Sequence, residues 1–238
     1  MRSLTTVVAA LLLSAPHVHA IILYDNLGTP TGSSTITGPS ADIGGGVFGT
    51  RMLADDITLA GSGTVVLQLL TFAFQNDNAV AVTPRVRLRF FDSTGPGGGP
   101  GSLVTGGVIV NGFTLNPGVT VGGVNLSALN LFVPNQFWLG VFFDNNGTTV
   151  TSAQLDNLGL ATYNPPSMGS SADTAWLSSG SGTFFGPNPA GAQFNFGGSP
   201  VANFGIAIDA MVPEPSTMLL LAGGLVAILA GKRRLHGC

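Results

Sequence analysis

Thr83-Pro84-Arg85-Val86-Arg87-Leu88-Arg89-Phe90-Phe91-Asp92 is the stretch that decides how this chain folds. Side chains on a strand repeat every two residues, so Arg85, Arg87 and Arg89 fall on one side and Val86, Leu88 and Phe90 on the other. Three like charges in one row repel. They must meet aspartates on neighbouring strands, open water or an anionic ligand. Cross-strand Arg-Asp pairing on a solvated sheet face is the plainer reading; a docking stripe for an acidic polysaccharide is the functional one.

Working outward, Gly, Ser, Thr, Asn and Pro punctuate short apolar runs, and no stretch keeps an apolar repeat at helical spacing. Expected strands are 21–27, 48–53, 56–59, 65–75, 83–92, 104–110, 124–132, 136–144, 158–163, 174–177, 182–185, 193–196 and 203–211. So many short strands at this spacing predict an all-β domain, an antiparallel β-sandwich of jelly-roll type. Gly95-Pro96-Gly97-Gly98-Gly99-Pro100-Gly101 and the region 185–189 cannot join a ladder interior and read as loops.

Both ends of the chain read as processing signals rather than fold. Residues 1–20 combine Arg2, an apolar run from Leu4 to Leu13 and a small-residue exit at Val18-His19-Ala20, the pattern of a signal peptide cleaved after Ala20. The run is short for a permanent anchor. At the other end, Val212-Pro213-Glu214-Pro215-Ser216-Thr217 precedes an apolar stretch from Met218 to Gly231 and then Lys232-Arg233-Arg234. The prolines hold Glu214 on an extended, accessible backbone. The apolar stretch is just long enough to cross a bilayer as a helix, with Lys232, Arg233 and Arg234 as its basic anchor on the cytoplasmic side. Residues 21–212 remain as a single domain between a leader (1–20) and a tail (213–238).

Between the signals stand four arginines, Arg51, Arg85, Arg87 and Arg89, against ten aspartates, with no Lys and no Glu: a net charge of −6. Such a surface repels phosphates, which argues against nucleic acid as a partner. His17 and His19 belong to the leader, and His236 and Cys238 to the tail. The domain therefore has no material for a disulfide, a thiolate or imidazole zinc site, or a Ser-His or Cys-His nucleophile pair.

What chemistry remains is carried by oxygen and aromatic groups. A glycosidase needs two carboxylates flanking the bond, and Asp55-Asp56 are adjacent, but neighbours on a strand face opposite sides of the sheet. Calcium takes oxygen ligands, which Asp144-Asn145-Asn146-Gly147 and Gln75-Asn76-Asp77-Asn78 could offer; such runs are turn formers first, so no cofactor is expected. Sugar stacking would fall to Trp138, Trp176, Tyr24 or Tyr163. Trp138 sits in an apolar run and reads as core, while Trp176, with Tyr163, is the better candidate for exposure, although core packing competes there as well.

The tail as a whole, 212–234, resembles the PEP-CTERM sorting signal of exported proteins of Gram-negative bacteria. The resemblance implies recognition of Pro213, Glu214 and Pro215 by an exosortase, an integral-membrane processing enzyme, after signal peptidase has removed the leader. It also implies transient membrane anchoring, followed by release or transfer to the cell surface or extracellular matrix. Leu53-Ala54-Asp55-Asp56-Ile57-Thr58-Leu59 is similar to a motif that opens many passenger domains of such proteins, and Phe137-Trp138-Leu139-Gly140-Val141 follows in the usual order. By resemblance the partner is exopolysaccharide, and the expected role is non-catalytic. The alternatives are a carbohydrate-binding module, which needs an exposed aromatic platform, and a carbohydrate-degrading enzyme, which needs two close carboxylates in a cleft.

Overall fold

The computed structural model describes residues 20–199 and 201–212. The leader, Pro213, Glu214, Pro215 and the basic anchor Lys232, Arg233 and Arg234 lie outside the described residues. Among the described residues no helix is long and apolar enough to cross a membrane.

Among the described residues, fifteen strands pair antiparallel into two sheets. The first sheet runs β1 (Ile21–Asp25), β15 (Ile206–Met211), β6 (Val65–Asn76), β12 (Leu158–Tyr163) and β2 (Pro30–Ile36), with β9 (Gly118–Asn125) and β10 (Phe132–Val133) also on β6. The second runs β14 (Gly191–Phe194), β13 (Ala175–Ser178), β5 (Leu53–Thr58), β11 (Gln136–Asp144), β4 (Phe48–Gly49) and β3 (Ala41–Asp42). On the other side of β11 it continues through β7 (Arg85–Phe91) to β8 (Val108–Val110). The only α-helix among the described residues, α1 (Ser152–Leu155), is one turn closed by a Thr151/Gln154 capping box.

Two central strands, β6 and β11, organise the core because both are apolar on the faces they turn inward. Phe74 of β6 meets Phe143 of β11 edge-on, with ring centroids 5.9 Å apart, joining the sheets. On β7, Val86, Leu88 and Phe90 are buried as their alternation requires. The face of the second sheet turned away from the first carries a further apolar cluster: Met52, Ala54, Phe91, Trp138, Phe142, Trp176 and Phe184.

The predicted strand 182–185 is instead a turn, and its Phe184 plugs that outer cluster. Apolar content there answers to a loop folding over a sheet. Conversely, β2, Pro-Thr-Gly-Ser-Ser-Thr-Ile, has no apolar alternation to betray it and forms by pairing with β12. The strand expected at 124–132 begins earlier, at Gly118, because the whole of β9 follows β6 residue by residue.

Candidate functional site

The row on β7 lies along the outer face of the second sheet. Pairing of β7 with β11 sets Arg85 opposite Asp144, Arg87 opposite Phe142, and Arg89 opposite Gly140. Cross-strand partners share a face, so one wholly buried carboxylate serves two guanidiniums: Asp144 accepts from Nε of Arg85 at 2.7 Å and from Nε of Arg87. Arg87 is further held over the rings of Phe142 and Phe185, 5.7 and 5.6 Å from their centroids.

Arg89 stands apart. No carboxylate reaches it among the described residues, its Nε is buried without a hydrogen-bond partner, and its guanidinium lies 5.5 Å from the Phe185 ring centre. Burial and the neighbouring Arg87 both pull its pKa below the ordinary arginine value. Gly107 runs against the guanidinium so closely that a Cβ there would overlap Nη1. The expected stripe of three cations thus resolves into a structural pair, Arg85 and Arg87, and one guanidinium without a counter-charge, Arg89.

The aromatic candidates are corrected. Trp176 is 4% exposed and Tyr163 8%, so neither offers a platform. The cause is long-range: the Gly-rich loop, through Gly99, and Gly191 of β14 pack directly on the Trp176 indole, while Trp138 donates its Nε1 proton to the Gly98 carbonyl at 3.0 Å. Tyr163 packs against Gly205, Ala73 and Ala161 within the first sheet. The two Asx-rich runs serve as turns. Asn145 Oδ1 accepts the Phe48 N–H, and Asn76 Oδ1 accepts from the N–H and the Nδ2 of Asn78, which commits amide oxygens that calcium would have needed.

A second constellation escapes the alternation rule. Asp55 of β5 faces the core and is wholly buried, and Asp56 faces outward, yet one hydroxyl touches both: Ser171 Oγ lies 2.9 Å from Asp55 Oδ1 and 3.1 Å from Asp56 Oδ1. The adjoining strand makes this possible. Three steps along β5, from Asp55 to Thr58, answer five steps from Ala175 back to Ser170. The two extra residues form a bulge that swings Ser171 across the strand edge. Phe204 N–H donates to Asp55 Oδ2 at 2.9 Å, and Ala172 N–H to both oxygens of Asp56 at 3.1 Å. Burial outweighs these bonds: Asp55 is pushed well above the ordinary carboxylate range, and Asp56 up to about 6.

Sequence reasoning sees the Asp-Asp pair but not its junction, because the bulge belongs to a segment more than a hundred residues away. A polar groove of about 360 Å³, lined by Thr31, Ser33, Asn164, Gly198, Ser199 and Val201, contains no carboxylate.

No curated protein and no solved structure matches the chain. A family comparison does match its tail, and over the residues expected from the Pro-Glu-Pro triplet and its flanks: this chain carries the PEP-CTERM protein-sorting motif at residues 212–234, joined to an all-β domain of two antiparallel sheets.

Proposed function

We propose that this is a non-catalytic protein, exported and processed by an exosortase, whose β-sandwich holds an acidic exopolysaccharide at the cell surface or in the matrix. The sorting motif implies export, exosortase processing and a transient membrane anchor. What supports the polysaccharide is Arg89: a half-buried guanidinium without a counter-charge among the described residues, beside an aromatic ring, in a domain whose other charges are mostly aspartates. A uronate or other acidic sugar supplies the missing counter-charge to the exposed part of that guanidinium, and its apolar face can lie on Phe185. Against catalysis stands the burial of Asp55, which no polymer can reach.

Retention of residues 21–212 on the producer's own exopolysaccharide, with and without calcium and across salt concentrations, tests this reading. The Arg89→Ala variant is expected to weaken retention about tenfold or more, the loss of one charge-assisted contact, and added salt to weaken it further. Unchanged retention in Arg89→Ala, or none by the parent domain under any condition, rejects the assignment.

A further inference from the structure

We propose that the end of the first sheet from which the chain runs into its sorting tail rests on a lipid surface while the protein is anchored, with Phe132, Leu129 and Ile22 entering the boundary between headgroups and acyl chains. Cross-strand partners share a face, and Phe132 of β10, Val66 of β6 and Met211 of β15 align in one row. Val66 is buried and Met211 half-buried, while Phe132 stands 53% exposed. The next row on that face is Leu69, Asp209 and Ile22, and Ile22 is 50% exposed. Leu67 and Ala210, between the two rows, are wholly buried, so by strand alternation both rows point away from the second sheet. Leu129 lies on the turn before β10, which the Leu67 N–H ties to β6 through the Leu131 carbonyl at 2.9 Å, and it too is half exposed.

Chain length commits this apolar end to lipid. Only Val212 to Thr217 separate Met211 from the apolar stretch that begins at Met218, and six residues reach at most about 22 Å even fully extended. Crossing the headgroup layer takes about 6 Å of that. While the tail is inserted, the Met211 end is therefore held within about 15 Å of the membrane surface. Contact is then intramolecular, and a patch too small to bind lipid by itself suffices.

Charge sets the kind of contact. Asp209 is the one charged residue of the two rows. The arginines are placed elsewhere: Arg85, Arg87 and Arg89 on β7 of the second sheet, and Arg51 on the Gly38 carbonyl. No cation draws this end to anionic lipid, so apolar insertion into zwitterionic lipid carries the contact and salt leaves it unchanged. The Asp209 carboxylate stays among the headgroups and limits entry to about 5–10 Å. The inference rests on the tail acting as an anchor, and on neither Arg89 nor a polysaccharide.

The test uses residues 21–238 with Cys238→Ser and one introduced cysteine carrying an environment-sensitive fluorophore, reconstituted in phosphatidylcholine vesicles with or without lipid brominated high on its acyl chains. A probe at Ala128→Cys, beside Leu129, should be quenched about twofold by the bromolipid, equally in low and in molar NaCl. Leu129→Ser/Phe132→Ser should abolish that quenching while circular dichroism shows the sheets retained, since both side chains are exposed. A probe at Ile109→Cys, exposed on β8 of the second sheet, should stay unquenched. Vesicle flotation separates the two ways of failing. A chain that does not float with the lipid overturns the anchor and this proposal together. A floating chain overturns the lipid contact alone if its Ala128→Cys probe is quenched no more than Ile109→Cys, is released by salt, or is quenched equally in Leu129→Ser/Phe132→Ser.

Discussion

Asp144→Ala is expected to cost the domain about 3 kcal/mol, a fall in Tm of roughly 10 °C, because it strands two guanidiniums at once. The side chains of Arg85 and Arg87 are only 12% and 16% exposed, and the carboxylate between them is wholly buried. Water cannot replace the anion without opening the strand pair. Asp144 also accepts the Asn146 N–H at 2.9 Å, so the turn after β11 loses its closing bond in the same substitution. Asp144→Asn retains that turn bond and should lose about half as much. The diagnostic variant is Asp144→Ala combined with Arg85→Met and Arg87→Met. If unpaired charge is the cause, removing the cations recovers much of the loss, and urea unfolding followed by circular dichroism will show the triple variant more stable than the single one. A loss under about 1 kcal/mol in Asp144→Ala would mean that the arginines find water instead.

Stability should fall as pH rises from 4 to 8, the reverse of what paired aspartates produce. Asp55 and Asp56 are both held above their unfolded value of 3.8, in each case first by burial. Below 3.8 both states carry the protons and neither carboxyl costs anything. As pH climbs past that point the unfolded chain releases protons that the folded chain retains, and unfolding gains. For Asp56 the loss accumulates between 3.8 and about 6 and amounts to at most about 3 kcal/mol, less where water screens its partly open side; Asp55 extends the decline beyond that window. The neighbours that act on the junction do not reverse the trend: Asp56 adds to the rise of Asp55, and the hydrogen bonds from Phe204, Ala172 and Ser171, which pull the carboxyls down, are outweighed by burial. Asp56→Asn should flatten the part of the curve below about pH 6. A flat profile in the parent domain from pH 4 to 8 would show that the two carboxyls ionise as freely folded as unfolded.

How much of this was legible in the chain differs from residue to residue. The alternation of Arg85 to Phe90 dictated both the strand and its inward face, because period-two burial is local. The match of Arg85 and Arg87 to an aspartate was also within reach, since a charged row on a sheet needs a counter-charge across the ladder. The identity of that aspartate was not, for Asp144 sits in a run that reads as a turn and does both jobs. Trp176 misleads for a different reason: its own surroundings are polar and Gly-rich, and its cover comes from residues near position 99 and position 191. The Asp55–Asp56 junction was hidden most deeply, because opposite-facing neighbours meet only through a register change in another segment.

The two tryptophans, Trp138 and Trp176, share the outer cluster rather than the space between the sheets, and both are sheltered by the Gly-rich loop. Intrinsic fluorescence of this protein therefore reports on that loop. A single protease nick at 95–101 would redden and quench the emission while the sandwich beneath stays intact, so an optical signal of unfolding from this chain can precede the loss of its secondary structure.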